Sequence, residues 1–251
     1  MSATIAQTWP YPRLVAHRGA GKLAPENTLA AFRLGYEHGY RMAEFDVKLS
    51  ADGVAFLLHD DTLDRTTNRK GRADALTWRE LALADAGTWH SPMYAGEPLA
   101  SLAAVAAWSR ARRVCMNIEI KPTRGRERET GAAIALDALS LWRGADVLPL
   151  LSSFSEVALD AAREAAPDLP RAWLSEYWRD DWRERVVPLG CIALDLKHTL
   201  LTQARIDEIH NAGLRIATWT VNDPVRAADL IGWGVDTLIT DAVDLIAPHR
   251  S

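Results

Sequence analysis

Short apolar runs alternate with amphipathic segments along almost the whole chain, and this alternation constrains the fold more than any other feature of the sequence. Strands that alternate with helices form a parallel sheet. Eight such units in 251 residues match the usual size of a (β/α)8, or TIM, barrel. We therefore predict an α/β protein of this class. The eight predicted strands are residues 14–17, 43–49, 114–121, 147–153, 171–174, 191–196, 214–221 and 236–240.

The segments between these strands carry helix signals, with one interruption. The clearest helix lies at 27–39, after Pro25-Glu26 and before a closing glycine, and others are expected at 127–142, 155–165, 202–211 and 224–233. An extra apolar run at 54–59 follows the second strand. From about 60 to 113 the alternation of strands and helices is interrupted by turns, an aromatic stretch and two helix-like segments. We predict one domain over 1–251, with an insertion at about 60–113 packed over one end of the barrel.

Charge and hydropathy exclude several classes of partner. A nucleic-acid partner usually needs a basic face, and the formal net charge is −4 with no basic cluster. No apolar run approaches the ~18 residues of a membrane span, and the N-terminus lacks the apolar core of a signal peptide. We expect a cytoplasmic protein without stable membrane association, and the sequence leaves a homo-oligomer open. Cys115 and Cys191 lie in apolar runs and are predicted to be buried thiols.

Acidic side chains alternate with apolar ones on two of the predicted strands. Glu44 and Asp46 share one face of the second strand, and Glu119 lies on the corresponding face of the third. Alternating charges are most often the solvated face of an antiparallel sheet, but these strands otherwise appear parallel and buried. Carboxylates gathered in a barrel mouth need a cation to offset their repulsion. An all-oxygen ligand set predicts one divalent cation, Mg²⁺ or Ca²⁺, with Mn²⁺ as a further option.

Two histidines end apolar runs at the predicted mouth and are candidates for acid–base catalysis. His17 ends the first strand and His59 ends the extra run. Arg18 and Lys121 could neutralise phosphate oxygens. These groups together indicate metal-assisted attack on a phosphate ester. Four other histidines are interpreted as surface or core residues, namely His38, His90, His210 and His249. His198 is left undecided.

Seven short motifs occur in one order across nearly the whole chain, and they resemble the glycerophosphodiester phosphodiesterases. The resemblance is to the cytosolic bacterial branch, within the phospholipase C-like phosphodiesterase superfamily. No single motif is decisive, but chance agreement of all seven is improbable. The motifs are His17-Arg18-Gly19, Pro25-Glu26-Asn27-Thr28, Glu44-Phe45-Asp46-Val47, Asp52-Gly53, the run from His59-Asp60-Asp61 to Arg65-Thr66-Thr67, Asn117-Ile118-Glu119-Ile120-Lys121, and Trp219-Thr220-Val221-Asn222.

This resemblance implies a TIM barrel with a small insertion after the second strand. It also implies hydrolysis of deacylated phospholipids, such as glycerophosphocholine and glycerophosphoethanolamine, to sn-glycerol 3-phosphate and an alcohol. Trp219 would pack on the glycerol, although an ordinary core tryptophan explains it nearly as well. The remaining roles are implied position by position: metal ligands Glu44, Asp46 and Glu119; general acid and base His17 and His59; phosphate contacts Arg18 and Lys121.

Several alternatives stay open at this point. A related phosphodiesterase or lyase on the same barrel could act on a lysophospholipid or a phosphoinositide and release a cyclic phosphate. A non-catalytic module could bind glycerophosphodiesters, and an unrelated metal-dependent barrel enzyme would leave His17-Arg18 unexplained. The attacking oxygen could belong to water or to the glycerol 2-hydroxyl, and His17 is favoured as the base. The head group, the identity of the metal and the oligomeric state are not determined by the sequence.

Overall fold

Eight parallel strands close into a barrel in the computed structural model, which describes residues 9–248. Each barrel strand pairs with the next along the chain, and the last strand pairs with the first, so the predicted TIM barrel is confirmed. A ninth strand, β3, lies outside the barrel and pairs antiparallel with β2. The strands are β1 (Leu14–His17), β2 (Met42–Leu49), β3 (Ala55–Leu57), β4 (Cys115–Ile120), β5 (Leu150–Ser153), β6 (Arg171–Ser175), β7 (Ala193–Lys197), β8 (Arg215–Trp219) and β9 (Thr237–Thr240).

Helices connect the barrel strands, and their ends follow the sequence signals. The Thr28 side chain caps α1 by accepting a hydrogen bond from the Ala31 N–H at 3.2 Å, and Pro224 occupies the first position of α8. All five predicted helices occur, with ends within two residues of those expected. The short helix α6 had no sequence signal. The helices are α1 (Leu29–Glu37), α2 (Trp78–Leu81), α3 (Leu102–Arg112), α4 (Glu127–Leu141), α5 (Glu156–Ala165), α6 (Trp182–Val186), α7 (Gln203–Asn211) and α8 (Pro224–Gly232).

The chain between β2 and β4 contains two differently packed parts. Residues from β3 to about residue 99 form a small apolar cluster of their own, around Phe56, Leu63 and Leu81. Helix α3 instead packs on the barrel, where the Trp108 ring lies 5.9 Å from that of Phe32. Helix α3 therefore takes the position of the barrel helix between β2 and β4. The division of the chain into one domain with an insertion at about 60–113 stays a prediction.

The barrel interior changes character along its axis. Near the amino ends of the strands the inward side chains are apolar and tightly packed, which closes that end of the barrel. Nearer the carboxyl ends the inward positions become polar, and a cavity opens there. No helix within residues 9–248 has the length and apolarity to cross a membrane. Both cysteines are free thiols, with Cys191 buried and Cys115 half-buried.

Candidate active site

Three carboxylates converge at the carboxyl ends of β2 and β4. Glu44, Asp46 and Glu119 each offer an oxygen within 4.8 Å of the others. The register places them together, because Asp46 lies directly beside Glu119 across the β2–β4 pair. Their residue exposures are 4%, 1% and 8%, so solvent screens them little. The structure thus brings together the three residues that the sequence marked as metal ligands.

The charge balance of this triad is incomplete without a cation. Burial, reinforced by the neighbouring carboxylates, raises the pKa of Glu44 well above its usual value and that of Glu119 to about 7. Burial also disfavours the ionised form of Asp46, but Lys121 and Arg18 outweigh it and lower the pKa of this carboxyl. A hard divalent cation would allow all three carboxylates to ionise together. The donor set, buried and entirely oxygen, therefore fits such an ion.

His17 is held by a carboxylate from the other end of the chain. Its Nδ1 lies 2.5 Å from Oδ1 of Asp241, which follows β9 and stands 224 residues later in the sequence. Asn222 fixes Asp241 in turn, donating from Nδ2 at 3.1 Å and accepting from the Asp241 backbone N–H at 2.9 Å. The other ring nitrogen, Nε2, lies 3.6 Å from Glu44. A proton held on Nδ1 by Asp241 leaves Nε2 as the basic nitrogen.

His59 is oriented by a chain of ion pairs that ends at Arg18. Its Nδ1 lies 2.7 Å from Asp60, and Asp60 accepts from the Arg65 Nε at 2.8 Å. Arg65 also donates to both carboxylate oxygens of Glu26, at 2.7 and 2.8 Å. Glu26 in turn accepts from Arg18 at 2.8 Å. The two motifs around Arg18 and His59 are thereby connected across the cavity mouth.

The loop after β1 is forced into its shape by close packing. Arg18 has a φ of 51°, a left-handed conformation uncommon for a residue with a side chain, and such conformations cluster at functional sites. Gly19 follows at a φ of 101°, and a Cβ there would lie 2.8 Å from the Ala31 Cβ. A Cβ on Gly21 would lie 2.0 Å from the Asp241 carbonyl oxygen. Glycine is required at both positions for the loop to fit between α1 and the end of β9.

A cavity of about 290 Å³ joins these groups to the opposite side of the barrel. Trp219 lines it, with its ring edge-on to Phe154 at 5.6 Å and its Nε1 donating to the Asp195 carbonyl at 3.3 Å. The cavity holds both catalytic candidates among the histidines. Its lining is His17, Arg18, Glu44, His59, Glu119, Lys121, Ser152, Phe154, Leu174, Glu176, Asp195, Trp219, Thr220 and Ile239.

The remaining histidines lie elsewhere. His210 pairs with Asp236 at 2.8 Å, and His90 lies 3.0 Å from the Lys22 carbonyl oxygen. His198 belongs to a short 3₁₀ turn after β7, and neither it nor His38 lines the cavity. His249 lies outside the described residues. The structure thus separates His17 and His59 from the other described histidines.

Sequence reasoning missed several residues of this site. Asp241 directly follows the last predicted strand, and its position at the barrel mouth was a usable signal. Glu26 and Arg65 lie in recognised motifs, but nothing in the sequence pairs them. Asn27 also reaches the site, donating to Asp46 at 2.9 Å and accepting from the Asp46 backbone N–H at 3.2 Å. These partners are distant in sequence, so only the fold could show them.

Known proteins are similar to this chain over nearly its whole length. The model of the Glycerophosphoryl diester phosphodiesterase family matches residues 17–245. YhdW of Bacillus subtilis is 35% identical over 93% of this chain and 96% of its own length. The glycerophosphodiester phosphodiesterase of Caldanaerobacter subterraneus is 30% identical over 91% of this chain and 93% of its own length. A phosphodiesterase of Oleispira antarctica, solved with the product sn-glycerol 3-phosphate, superposes with a TM-score of 0.88 at 32% identity, covering 94% of this chain and 95% of that one.

Proposed function

The chain belongs to the glycerophosphoryl diester phosphodiesterase family and is an enzyme of that family, and from this premise we propose that it cleaves glycerophosphodiesters by metal-dependent acid–base hydrolysis. The substrates are deacylated phospholipids such as glycerophosphocholine and glycerophosphoethanolamine. The products are sn-glycerol 3-phosphate and a free alcohol. The observation that carries the proposal is the buried acidic triad facing His17 and His59 across one cavity.

In this proposal the substrate phosphate lies beside the acidic triad and the cationic side chains of Arg18 and Lys121. Glu44, Asp46 and Glu119 would hold Mg²⁺ or Ca²⁺, which when bound neutralises charge on the phosphoryl oxygens. Arg18 and Lys121 line the same cavity and bring positive charge to the same oxygens. Lys121 is steadied by Asp46 at 3.3 Å and by Glu119 at 3.0 Å. Both side chains are therefore oriented before the substrate arrives, which reduces the ordering cost of binding.

The two histidines divide the proton transfers. His17 Nε2 takes a proton from the attacking oxygen, which forms the new bond to phosphorus, and Asp241 stabilises the resulting imidazolium. The bond from phosphorus to the leaving oxygen breaks, and His59 Nε2 donates its proton to that oxygen. Burial, together with Arg18 and Lys121, lowers the pKa of His59 despite Asp46 and Asp60. The lowered pKa makes protonated His59 a stronger acid toward the leaving oxygen, while fewer His59 rings carry that proton at neutral pH.

A coupled assay tests the proposal. Release of sn-glycerol 3-phosphate is followed with a dehydrogenase, using glycerophosphocholine and glycerophosphoethanolamine as substrates. Activity should vanish with EDTA and return on addition of Mg²⁺ or Ca²⁺. Activity that survives chelation would contradict the metal site, and a lack of glycerol 3-phosphate release would contradict the reaction. ³¹P NMR of the product distinguishes direct hydrolysis from a route through a cyclic phosphate.

A further inference from the structure

The cavity has a second polar region that the proposed mechanism does not use. Asp195 on β7 and Ser152 on β5 line it, and both residues are fully buried at 0% exposure. Neither oxygen of the Asp195 carboxylate has a hydrogen-bond partner, and neither does the Ser152 hydroxyl. Asn117 Oδ1, on β4, is also buried without a partner. Buried polar groups in native proteins nearly always have partners, so the three unpartnered atoms of Asp195 and Ser152 at one cavity indicate that something else completes them.

The strand register explains why these groups face the cavity. Ala193 lies in the apolar layer that closes the barrel, and Asp195 is the next residue of β7 on that same inward face. Its neighbours in register are Leu174 on β6 and Ala217 on β8, which offer no polar side chain. Burial, with the nearby charge of Glu119, raises the pKa of Asp195 to about 8; the Asn117 side chain opposes this through a polar contact that falls outside hydrogen-bond geometry. No cation of the protein pairs with this carboxyl among the described residues.

We propose that Asp195, assisted by Ser152, binds the two adjacent hydroxyls of the substrate's glycerol group and so selects glycerol diesters over other phosphodiesters. A carboxyl group offers two oxygens side by side, and both are free here. Adjacent hydroxyls on a substrate present two donors with matching spacing, so one carboxyl can take both. This inference rests on the proposed function, because the phosphate must lie at the acidic triad for the glycerol to reach Asp195.

The chemistry of the pocket favours a neutral polyol as its occupant. The choline head group of the diester, whose oxygen is esterified, has no hydrogen-bond donors and would leave all of these oxygens unpaired. Glycerol hydroxyls can both donate to Asp195 and accept from the Ser152 hydroxyl. Trp219 forms an adjoining wall, and its ring is tied to β7 by the hydrogen bond to the Asp195 carbonyl. The indole can therefore cover the carbon side of the glycerol while the carboxyl takes its hydroxyls.

A series of three phosphocholine diesters tests the assignment. The substrates are sn-glycerol-3-phosphocholine, its 2-deoxy analogue 3-hydroxypropyl phosphocholine, and propyl phosphocholine, with choline release measured for all three. Asp195→Ala should lower kcat/KM for the glycerol diester by about 10- to 100-fold, since it removes two hydrogen bonds that each contribute about 3- to 10-fold. The same variant should change kcat/KM for the propyl diester less than threefold. Asp195→Asn should give an intermediate loss, and Ser152→Ala a smaller one.

The matched control is Thr218→Val. Thr218 is as deeply buried as Asp195 and lies on the adjacent strand, but its hydroxyl donates to the Leu196 carbonyl and does not line the cavity. This variant should keep the wild-type ratio of glycerol to propyl hydrolysis. Circular dichroism confirms that each variant is folded, and Asp195→Asn preserves the shape of the site if the alanine variant fails to fold.

The outcomes separate the competing explanations. An equal loss on all three diesters would assign Asp195 a general electrostatic role and overturn the inference. So would an unchanged preference, which would mean that only water occupies the pocket. If Asp195→Ala instead changes the ratio of kcat/KM for glycerophosphoethanolamine to that for glycerophosphocholine, the carboxyl contacts the head group and the inference is wrong.

Failure of the proposed function would be recognised separately. In that case wild-type protein releases choline from none of the three diesters, whereas release from the glycerol diester alone would make its 2-hydroxyl the attacking oxygen and would overturn the inference. Calorimetric titration with sn-glycerol 3-phosphate and with propyl phosphate then tests the pocket without turnover. Wild type should bind the glycerol compound at least tenfold more tightly, and Asp195→Ala should bind the two with similar affinity. Equal binding by wild type overturns the inference.

Discussion

The two sides of the cavity satisfy their polar groups in opposite ways. On the side formed by β1, β2 and β4, the catalytic wall, the charged side chains His17, Arg18, Asp46 and Lys121 all have charged partners within 3.3 Å, and the neutral Asn117 Oδ1 is an exception without a partner. On the side formed by β5 and β7, the far wall, Asp195 and Ser152 are fully buried and lack any hydrogen-bond partner. The catalytic wall is built before a substrate binds, whereas the far wall is complete only when something binds to it.

This contrast indicates how the site divides its work. Preorganised charges lower a barrier because they need not reorient during reaction. A buried group without a partner gains a hydrogen bond when a ligand with the matching group binds. It stays unpaired when the ligand lacks that group, so the site discriminates against such a ligand. We therefore assign the chemistry to the catalytic wall and the recognition of glycerol to the far wall. Each of the predictions below tests one side of this division.

The largest effects are expected from the two histidines of the catalytic wall. His17→Ala and His59→Ala should each lower kcat by ~10²- to 10⁴-fold, the usual contribution of a general acid or base. His210→Ala is the matched control, because His210 also pairs with an aspartate but lies outside the cavity. Steady-state assays with glycerophosphocholine measure all three. Near-normal turnover by both catalytic-wall variants would break the division at its strongest point.

A smaller loss is expected from the group that positions His17. Asp241→Asn keeps the shape of the side chain but removes the charge that holds the ring and stabilises its protonated form, so kcat should fall by about 10- to 100-fold with little change in KM. Asp236→Asn disrupts the equivalent pair with His210 and should leave kcat unchanged. A purely structural role for Asp241 predicts instead that both variants lose thermal stability while kcat per folded molecule stays constant.

The sequence predicted the catalytic wall far better than the far wall, and the reason is physical. Charged residues at alternate positions of a buried strand, such as Glu44 and Asp46, are unusual enough to identify a site directly. Compact apolar runs predicted the eight barrel strands, because parallel strands between helices are buried on both faces. Asp195 has the same alternation, in Ala193-Leu194-Asp195-Leu196. A single acidic residue in an apolar run carries no comparable signal.

The pairs that depend on closure of the barrel could not be predicted either. His17 meets Asp241 only because β9 returns to lie beside β1. Glu26 and Arg65 meet because the segment after β3 folds back over the mouth, and that segment showed no regular period. Helix α3 occupies a regular barrel position although it follows this irregular stretch. Local patterns thus indicate elements and single-strand sites, whereas contacts between distant strands follow from the closed sheet.

Metal affinity should depend on pH through the triad. Without metal, Glu119 has a pKa of about 7 and that of Glu44 is also raised, so a cation must displace protons below neutrality. Affinity for Mg²⁺ or Ca²⁺ should therefore rise by about tenfold per pH unit for each proton displaced, and the contribution of Glu119 should level off above pH 7. Calorimetric titration at pH 5.5, 6.5 and 7.5, in buffers of different ionisation enthalpy, counts the protons released. A pH-independent affinity would contradict the picture of the triad as the metal site.

The smallest effect should appear as a stability change on the far wall. Burial raises the pKa of Asp195 from 3.8 to about 8. Between these values the folded protein retains a proton that the unfolded chain has released, so this residue makes wild type less stable as pH rises. Asp195→Asn removes that penalty. Its free energy of unfolding relative to wild type should increase with pH, by no more than about 1.4 kcal/mol per unit.

Urea unfolding in EDTA at pH 5, 6 and 7 measures this difference. Thr218→Val has no titratable group, so its stability relative to wild type should not change with pH. A difference for Asp195→Asn that falls as pH rises would mean that Asp195 is ionised and paired in the folded protein. The far wall would then be preorganised like the catalytic wall, and the distinction between the two sides would be lost. The expected rise instead means that the fold bears the cost of an unpaired carboxyl, which is reasonable only if a ligand uses that group.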